Sequence, residues 1–374
     1  TGGDVLTFTG PATLNASATF TMNGKVSFDS AITESGGARS ITQSGVDILA
    51  LRANNSFSGG FTLSSSTLQV GAPVALGSGT FTINGADSIV EAVGGPVTLG
   101  NPVSVAGDFT IQGVNDITFI GTTTLTGTRV VAVENVGLTS FEGVIQSGFL
   151  KKSGNGRLRL ANANAFGNLT ILKGAILIGH DSALGTGVLF IDDSSAVLEA
   201  SDVPVGQTRT ITNIIDTIRD FTVAGSANIS FNGILKITSS PIAITTSNTG
   251  LTLFNGALNN NFITGSIIKR GSEPFTLTAN NGYTGSTTIE EGTLRLSGNG
   301  RINGSGGTIT INTGAKLEVD ETGASSLIDR LPDTRSIVLS GGTLSMTAGS
   351  IIAHTETIGS LALTDGTNNT IILT

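Results

Sequence analysis

The sequence predicts an all-β fold, a single parallel β-helix (β-solenoid) with about 20 residues per coil. Three observations predict it. One is an internal period near 20 residues, the second a superimposed period near 113, and the third a composition suited to sheets and turns. Among 374 residues there are 52 glycines, 17 phenylalanines and 8 prolines, with no cysteine and no tryptophan. Glycine is about twice as frequent as in an average chain, and charged residues about half. Hydrophobic residues make up 38%, too many for a disordered chain. Helical periodicity is almost absent.

The composition also removes classes of function. Without cysteine there are no disulfides, thiolate metal sites or thiol nucleophiles. A net charge of −8 is the wrong sign for a nucleic-acid partner, because such binding neutralises phosphates with Lys and Arg. No stretch reads as a membrane span, since long uncharged runs such as residues 238–268 are rich in Ser, Thr and Asn. No cofactor and no metal are expected.

The elements follow from the repeats. The first strand, Val5-Leu6-Thr7-Phe8, is apolar within eight residues of the start. Three stretches then align: residues 51–91, 160–199 and 277–318. Each begins at an Asn-rich turn (Asn54-Asn55, Asn162, Asn280-Asn281) and passes through an aromatic (Phe57, Phe166, Tyr283) into an apolar strand. A tight turn leads to a second strand that ends at Val70, Ile178 or Leu296. Pairs such as Leu63 and Ile83, or Val70 and Val90, stand 20 residues apart. The longer period appears in Phe28, Phe141 and Phe254, and again in Phe8, Phe119 and Phe231. It divides the single solenoid, residues 1–374, into super-repeats of roughly 1–111, 112–223 and 224–374. A short helical excursion is expected near 325–333, where Ser326-Leu327-Ile328-Asp329-Arg330-Leu331-Pro332 has helical spacing and a proline stop.

The physical logic is that of a stacked coil. Alternate side chains of each strand point inward, so Leu, Ile, Val and Phe of successive coils form a continuous core. Outward Thr and Ser suit a pleated, solvated surface. Glycine, and next asparagine, supply the corners, and stacked Asn side chains can form amide ladders from coil to coil. About 19 coils are expected at this repeat length.

Candidate chemistry is sparse. Asp192-Asp193, Glu290-Glu291 and Asp320-Glu321 are adjacent acids. Neighbours on a strand face opposite sides, so they read as turns and solvated edges, not as an acid–base pair. His180 and His354 read as isolated residues, His180 on a turn. Glu91, Glu199 and Glu318 read as edge charges that discourage sheet-to-sheet aggregation. The chain is read as non-enzymatic, with no catalytic, cofactor or metal residues.

Residues 151–160 (Lys-Lys-Ser-Gly-Asn-Gly-Arg-Leu-Arg-Leu) with their continuation through Leu177, Ile268-Lys269-Arg270-Gly271, and Asn280-Asn281-Gly282-Tyr283-Thr284-Gly285 through Leu296 carry a family likeness. So does the tail at residues 356–363. They resemble the autotransporter-associated β-strand repeat, the passenger-associated repeat of bacterial surface proteins. The resemblance implies a right-handed β-helix outside the cell or on its surface, and it implies no particular reaction. The family's outer-membrane barrel does not follow in this sequence, so self-translocation is not expected of this segment alone.

The remaining expectation concerns the ends. Both lack a polar capping coil, and Thr370-Ile371-Ile372-Leu373-Thr374 matches the repeat position of Ile229-Ser230-Phe231. Val5, Leu6, Phe8, Ile371, Ile372 and Leu373 are therefore the expected self-association residues of a head-to-tail homopolymer. The expected function is a structural building block of an extracellular fibre or stalk, whose partners are itself or other cell-surface material. A passenger fragment of a large adhesin, and a β-helix that binds or cleaves polysaccharide, are the alternatives.

Overall fold

The structure is a computed structural model, which describes residues 5–201, 203, 206–260, 264–323, 329–349, 355–364 and 368–374. The described residues form strands and turns, with no helix, in stacked parallel coils of a β-solenoid. There are about 16 turns of about 22 residues each, so the expected 20 residues and 19 coils are corrected. The reason is uneven corners. Phe61 pairs with Phe81 in register, Phe81 with Val103, and Thr308 with Ser336. The strands keep their length while the turns between them grow.

The chain divides into two compact units, residues 1–187 and 188–374. In the first, the coil is three-sided, and where all three sides carry strands it visits three parallel sheets in turn. Phe81–Ile83 lies in a seven-stranded sheet, Ser88–Ala92 in a second sheet and Val97–Leu99 in a third; Val103–Val105 then returns to the first. Burial follows the alternation: Phe81 and Ile83 are fully buried and Thr82 between them is not. Equivalent inward residues stack from coil to coil. Phe8 lies on Phe28 at 4.7 Å, and Phe119 on Phe141 at 4.8 Å. In the second unit Phe231, Phe254 and Phe275 continue at 4.8 and 4.7 Å. These are spacings of offset-stacked rings.

The longer repeat acquires a geometric meaning in the first unit. Its first copy places Ile41–Gly45 and Phe61–Leu63 in the seven-stranded sheet, and Ile48–Leu51 and Ser66–Val70 in the second sheet. The next copy places Phe149–Ser153 and Leu169–Ile171 in the second sheet, and Arg157–Leu160 and Ala175–Ile178 in the third. The same sequence has moved on by one side of the three-sided coil. The period is thus five coils and a third, and the Phe8–Phe28 and Phe119–Phe141 stacks show the same step.

Two expectations shift in detail. Val70 faces Ala92, and Val90 faces Leu68, so this register differs by two residues from the one expected. Of the expected helical segment, residues 326–328 lie outside those described; residues 329–332 hold no helix, and a turn follows in which Arg335 N donates to Pro332 O at 3.0 Å.

Core and surface positions should separate sharply in stability. Phe81→Ala removes a ring held between Phe61 and Val103 and is expected to cost about 3–5 kcal/mol. Thr82→Ala on the outer face should change stability by no more than about 0.5 kcal/mol. Urea denaturation midpoints of the two variants check this.

Candidate functional site

The three aligned repeats build one kind of site, a pinned corner. Asn55, Asn164 and Asn281 occupy it, each buried. The Oδ1 atom of each accepts the amide of the preceding coil: Ile32 N at 2.7 Å, Ile145 N at 2.8 Å and Leu258 N at 2.9 Å. The amide nitrogen donates onward, from Asn55 to Ala75 O at 2.5 Å, from Asn164 to Ala183 O at 2.8 Å, and from Asn281 to Arg301 O at 3.0 Å. Each asparagine therefore joins the backbones of the coils on either side. This differs from the expected amide-to-amide ladder. It also corrects one position, because Asn162 is not the equivalent of Asn55; its side chain donates to Glu142 O at 3.1 Å on the surface.

Two residues beyond each asparagine, Phe57, Phe166 and Tyr283 are fully buried. The backbone of the following coil passes so close that a side chain at Gly77 would lie 2.1 Å from Phe57 O. Tyr283 Oη is 2.7 Å from Thr287 Oγ1. Burial pushes its phenol up to about 12, and the Arg335 guanidinium sits over its ring at 5.5 Å.

The most unusual groups are two buried lysines. Lys152 Nζ donates to the carbonyls of Ser153 at 3.1 Å, of Gly154, and of Lys173 in the next coil at 2.8 Å. Lys269 Nζ repeats this with Arg270 O at 2.8 Å, Gly271 O at 2.6 Å and Glu291 O at 3.1 Å. An ammonium has three donors and no acceptor, so three carbonyls satisfy it. Burial pulls both ammonium groups down to about 8, against the opposing field of Glu134 for Lys152 and of Glu291 for Lys269. The glycines that follow, Gly154 and Gly271, have φ of 78° and 81°, which lets the turn aim its carbonyls inward. In the first copy Gln43 takes the same place and donates to Ser66 Oγ and Thr67 O, both at 2.8 Å.

The adjacent acids are dispersed among structural contacts. Glu290 pairs with Arg270 at 2.6 Å, while Glu291 accepts Gly271 N at 3.0 Å. Asp193 accepts Ser195 N at 2.9 Å. Asp320 and Glu321 are buried, not the solvated edge expected from the sequence. Glu321 forms a buried pair with Arg330, whose Nη2 is 3.0 Å from Glu321 Oε2 and whose Nη1 donates to Gly300 O at 2.7 Å. Burial alone would raise the Asp320 carboxyl. Hydrogen bonds from Thr322, Ser297 and Arg295 overcome it and hold the group at about 2. Glu91 and Glu318 bond along the outer faces, to Gln69 at 3.0 Å and Lys316 at 3.1 Å, and Glu199 accepts Ser201 Oγ at 2.7 Å. His180 lies on an exposed turn, where Nδ1 accepts Ser182 N at 3.0 Å; His354 lies outside the described residues. Among the described residues no three His, Asp or Glu side chains stand together as a metal site.

Of the terminal residues, Val5, Leu6 and Phe8 lie on a strand that pairs with Lys25–Phe28, and Ile371, Ile372 and Leu373 on one that pairs with Thr343–Ala348. All six are exposed, from 38% at Ile372 to 76% at Leu373.

The pinned corners fall inside the segments that match a known family. Residues 41–70, 150–178 and 267–296 match the passenger-associated-transport-repeat family. The chain carries three passenger-associated transport repeats. Each copy contains the buried asparagine, the buried aromatic two residues on, and the Lys or Gln of the preceding turn. The chain is also similar to the adhesin BmaC autotransporter of Brucella suis biovar 1 (strain 1330), with 26% identity over 215 residues. That alignment covers 56% of this chain and 5% of the adhesin, so the chain spans a small part of its relative's length. No solved structure matches.

Two outcomes test the site. Lys152→Met, which strands three carbonyls, should cost about 2–4 kcal/mol, whereas Lys152→Gln, with the residue the first repeat uses, should cost less than half as much in chemical denaturation. Because the Asp320 carboxyl is depressed in the fold, its contribution is complete above about pH 4 and is lost as pH falls towards 2. A loss on the order of 2 kcal/mol is expected over that window, and Asp320→Asn should remove this part of the acid slope.

Proposed function

We propose that this chain is a passenger-like segment of a bacterial surface protein, a non-enzymatic β-solenoid that serves as an adhesive stalk. The observation that supports the reading best is the set of three passenger-associated transport repeats, each folded as consecutive coils and each pinned at the same corner. The similarity to an autotransporter adhesin supports the same location and role. The rest of the described chain is consistent with a mechanical task. Charged groups of the strands are tied between coils, as in Arg159–Glu142 and Arg270–Glu290, and buried ones are held by backbone carbonyls, as at Lys152 and Lys269, or by neighbouring side chains, as at Asp320 and Glu321.

A second reading rests on the two exposed apolar strand edges. Val5, Leu6 and Phe8 on one and Ile371, Ile372 and Leu373 on the other offer unpaired backbone together with apolar surface, the combination that draws a further strand. The partner proposed for these edges is a second copy of the chain, which makes the stalk a head-to-tail fibre.

Cells that display the chain through an outer-membrane anchor should adhere to host-cell or matrix-coated surfaces above cells displaying the anchor alone. Equal adherence would contradict the adhesive role. For the fibre reading, sedimentation velocity over a concentration series should show growing species that Leu6→Lys and Ile372→Lys abolish. A single monomeric boundary at every concentration would contradict it.

A further inference from the structure

Asparagine followed by glycine is the pair most prone to react with its own backbone, and this sequence holds eight: Asn23, Asn84, Asn155, Asn232, Asn255, Asn281, Asn299 and Asn303 each precede a glycine. Because the glycine has no side chain, its peptide nitrogen can swing onto the asparagine Cγ. The structure sorts the eight pairs by what restrains them. Gly156 N donates to Val133 O at 2.7 Å, Gly256 N to Phe231 O at 2.9 Å and Gly282 N to Leu258 O at 3.1 Å, each in the preceding coil. Gly300 N donates to Ser297 O at 2.8 Å. A nitrogen bound in this way has to break its hydrogen bond before it can lose its proton and turn towards Cγ. Asn232 is restrained through its side chain, whose Oδ1 accepts Ser230 Oγ at 2.7 Å and Asn255 Nδ2 at 3.1 Å. Asn303 is followed by a buried glycine, Gly304.

Two pairs escape all of these restraints. Asn23 and Asn84 are exposed, and Gly24 and Gly85 are half-buried. Among the described residues the two asparagine side chains and the two glycine nitrogens have no hydrogen-bond partner. Both pairs lie on the same corner of the first unit, where the chain passes from the seven-stranded sheet to the second sheet. Asn23 stands between Ala18–Met22 and Lys25–Phe28, and Asn84 between Phe81–Ile83 and Ser88–Ala92. The residue before each asparagine is anchored to the next coil. Met22 O accepts Val46 N and Asp47 N at 2.8 and 3.1 Å, and Ile83 O accepts Ala106 N and Gly107 N at 2.8 and 3.0 Å. A chemical change at either corner therefore leaves the ladders beside it intact.

We propose that Asn23 and Asn84 are modification sites, at which the folded chain deamidates spontaneously. The glycine nitrogen gives up its proton and attacks Cγ. The bond from Cγ to the side-chain nitrogen breaks, and ammonia leaves with that proton. The five-membered imide then takes up one water. Opening at the side-chain carbonyl leaves aspartate, opening at the backbone carbonyl leaves isoaspartate, and either product adds a negative charge to the corner. The inference goes beyond the surface-protein reading and does not rest on it, because the only co-reactant is water.

The full chain is kept in neutral buffer and its peptides are mapped by mass spectrometry over time, beside a sample held in denaturant. In the folded chain the peptides with Asn23 and Asn84 are expected to convert several-fold ahead of those with the other six. In denaturant, where the restraints of the fold are gone, all eight should convert at comparable rates. Asn23→Gln with Asn84→Gln should remove the first acidic species from ion-exchange profiles, with a melting temperature close to wild type. Equal rates at all eight pairs of the folded chain would overturn the proposal. So would retention of both amides while the denatured sample converts, or conversion at Asn155, Asn255 or Asn281 ahead of them.

Discussion

Every coil has to turn three corners without leaving a backbone group stranded, and the rest of the structure depends on how that is done. Along the strands the problem solves itself, because each amide and carbonyl pairs with the coil before or after it. At the corners the chain changes direction, the pairing lapses, and buried carbonyls face inward. An unpaired buried polar group costs about 1–3 kcal/mol, and a solenoid multiplies that cost by the number of its corners. The repeats answer with side chains that imitate backbone. Asn55, Asn164 and Asn281 each accept from one coil and donate to the next. Lys152 and Lys269 close the preceding turn by filling a carbonyl nest with a three-donor cation.

This arrangement links the repeat to its role. Once corners are as well bonded as strands, the coil can lengthen by adding turns, and the surface above each strand is free to vary. The one-side advance of the repeat between its first two copies shows that freedom. The same pinned corner serves different sides of the coil, so stability is distributed around the core while the outer faces diverge. One outer face is threonine-lined and uncharged, and others are laced with ion pairs such as Arg52–Asp29 and Arg159–Glu142. Exposed pairs of this kind add little stability, which leaves their residues open to change.

Much of the fold was legible in the sequence, for identifiable reasons. The period-two alternation around Thr82 and the spacing of Phe28, Phe119 and Phe141 report core positions directly. Coil length was less legible, because extra residues enter at corners, where no periodicity records them. The same looseness explains why Val90 faces Leu68 and not Val70, and why Asn164 and not Asn162 holds the corner. The buried charges were not legible at all. Lysine and glutamate are almost never fully buried unless paired, so nothing marked Lys152, Lys269 or Arg330 as buried, and Glu321 read as part of a turn or solvated edge. The signal available was positional: a Lys or Gln two residues before a glycine with positive φ, at the same place in all three copies.

The central claim, that side chains make the corners as secure as the strands, can be tested most directly by amide hydrogen exchange resolved to single residues. The amides of Ile32, Ile145 and Leu258 have asparagine Oδ1 as acceptor, whereas those of strand-centre residues such as Thr82 and Ile111 lie within the backbone ladders. The account predicts protection of the three corner amides comparable to that of the strand amides, each lost together with the strands of its own unit. Fast exchange at the three corners under conditions in which the strands stay protected would contradict it.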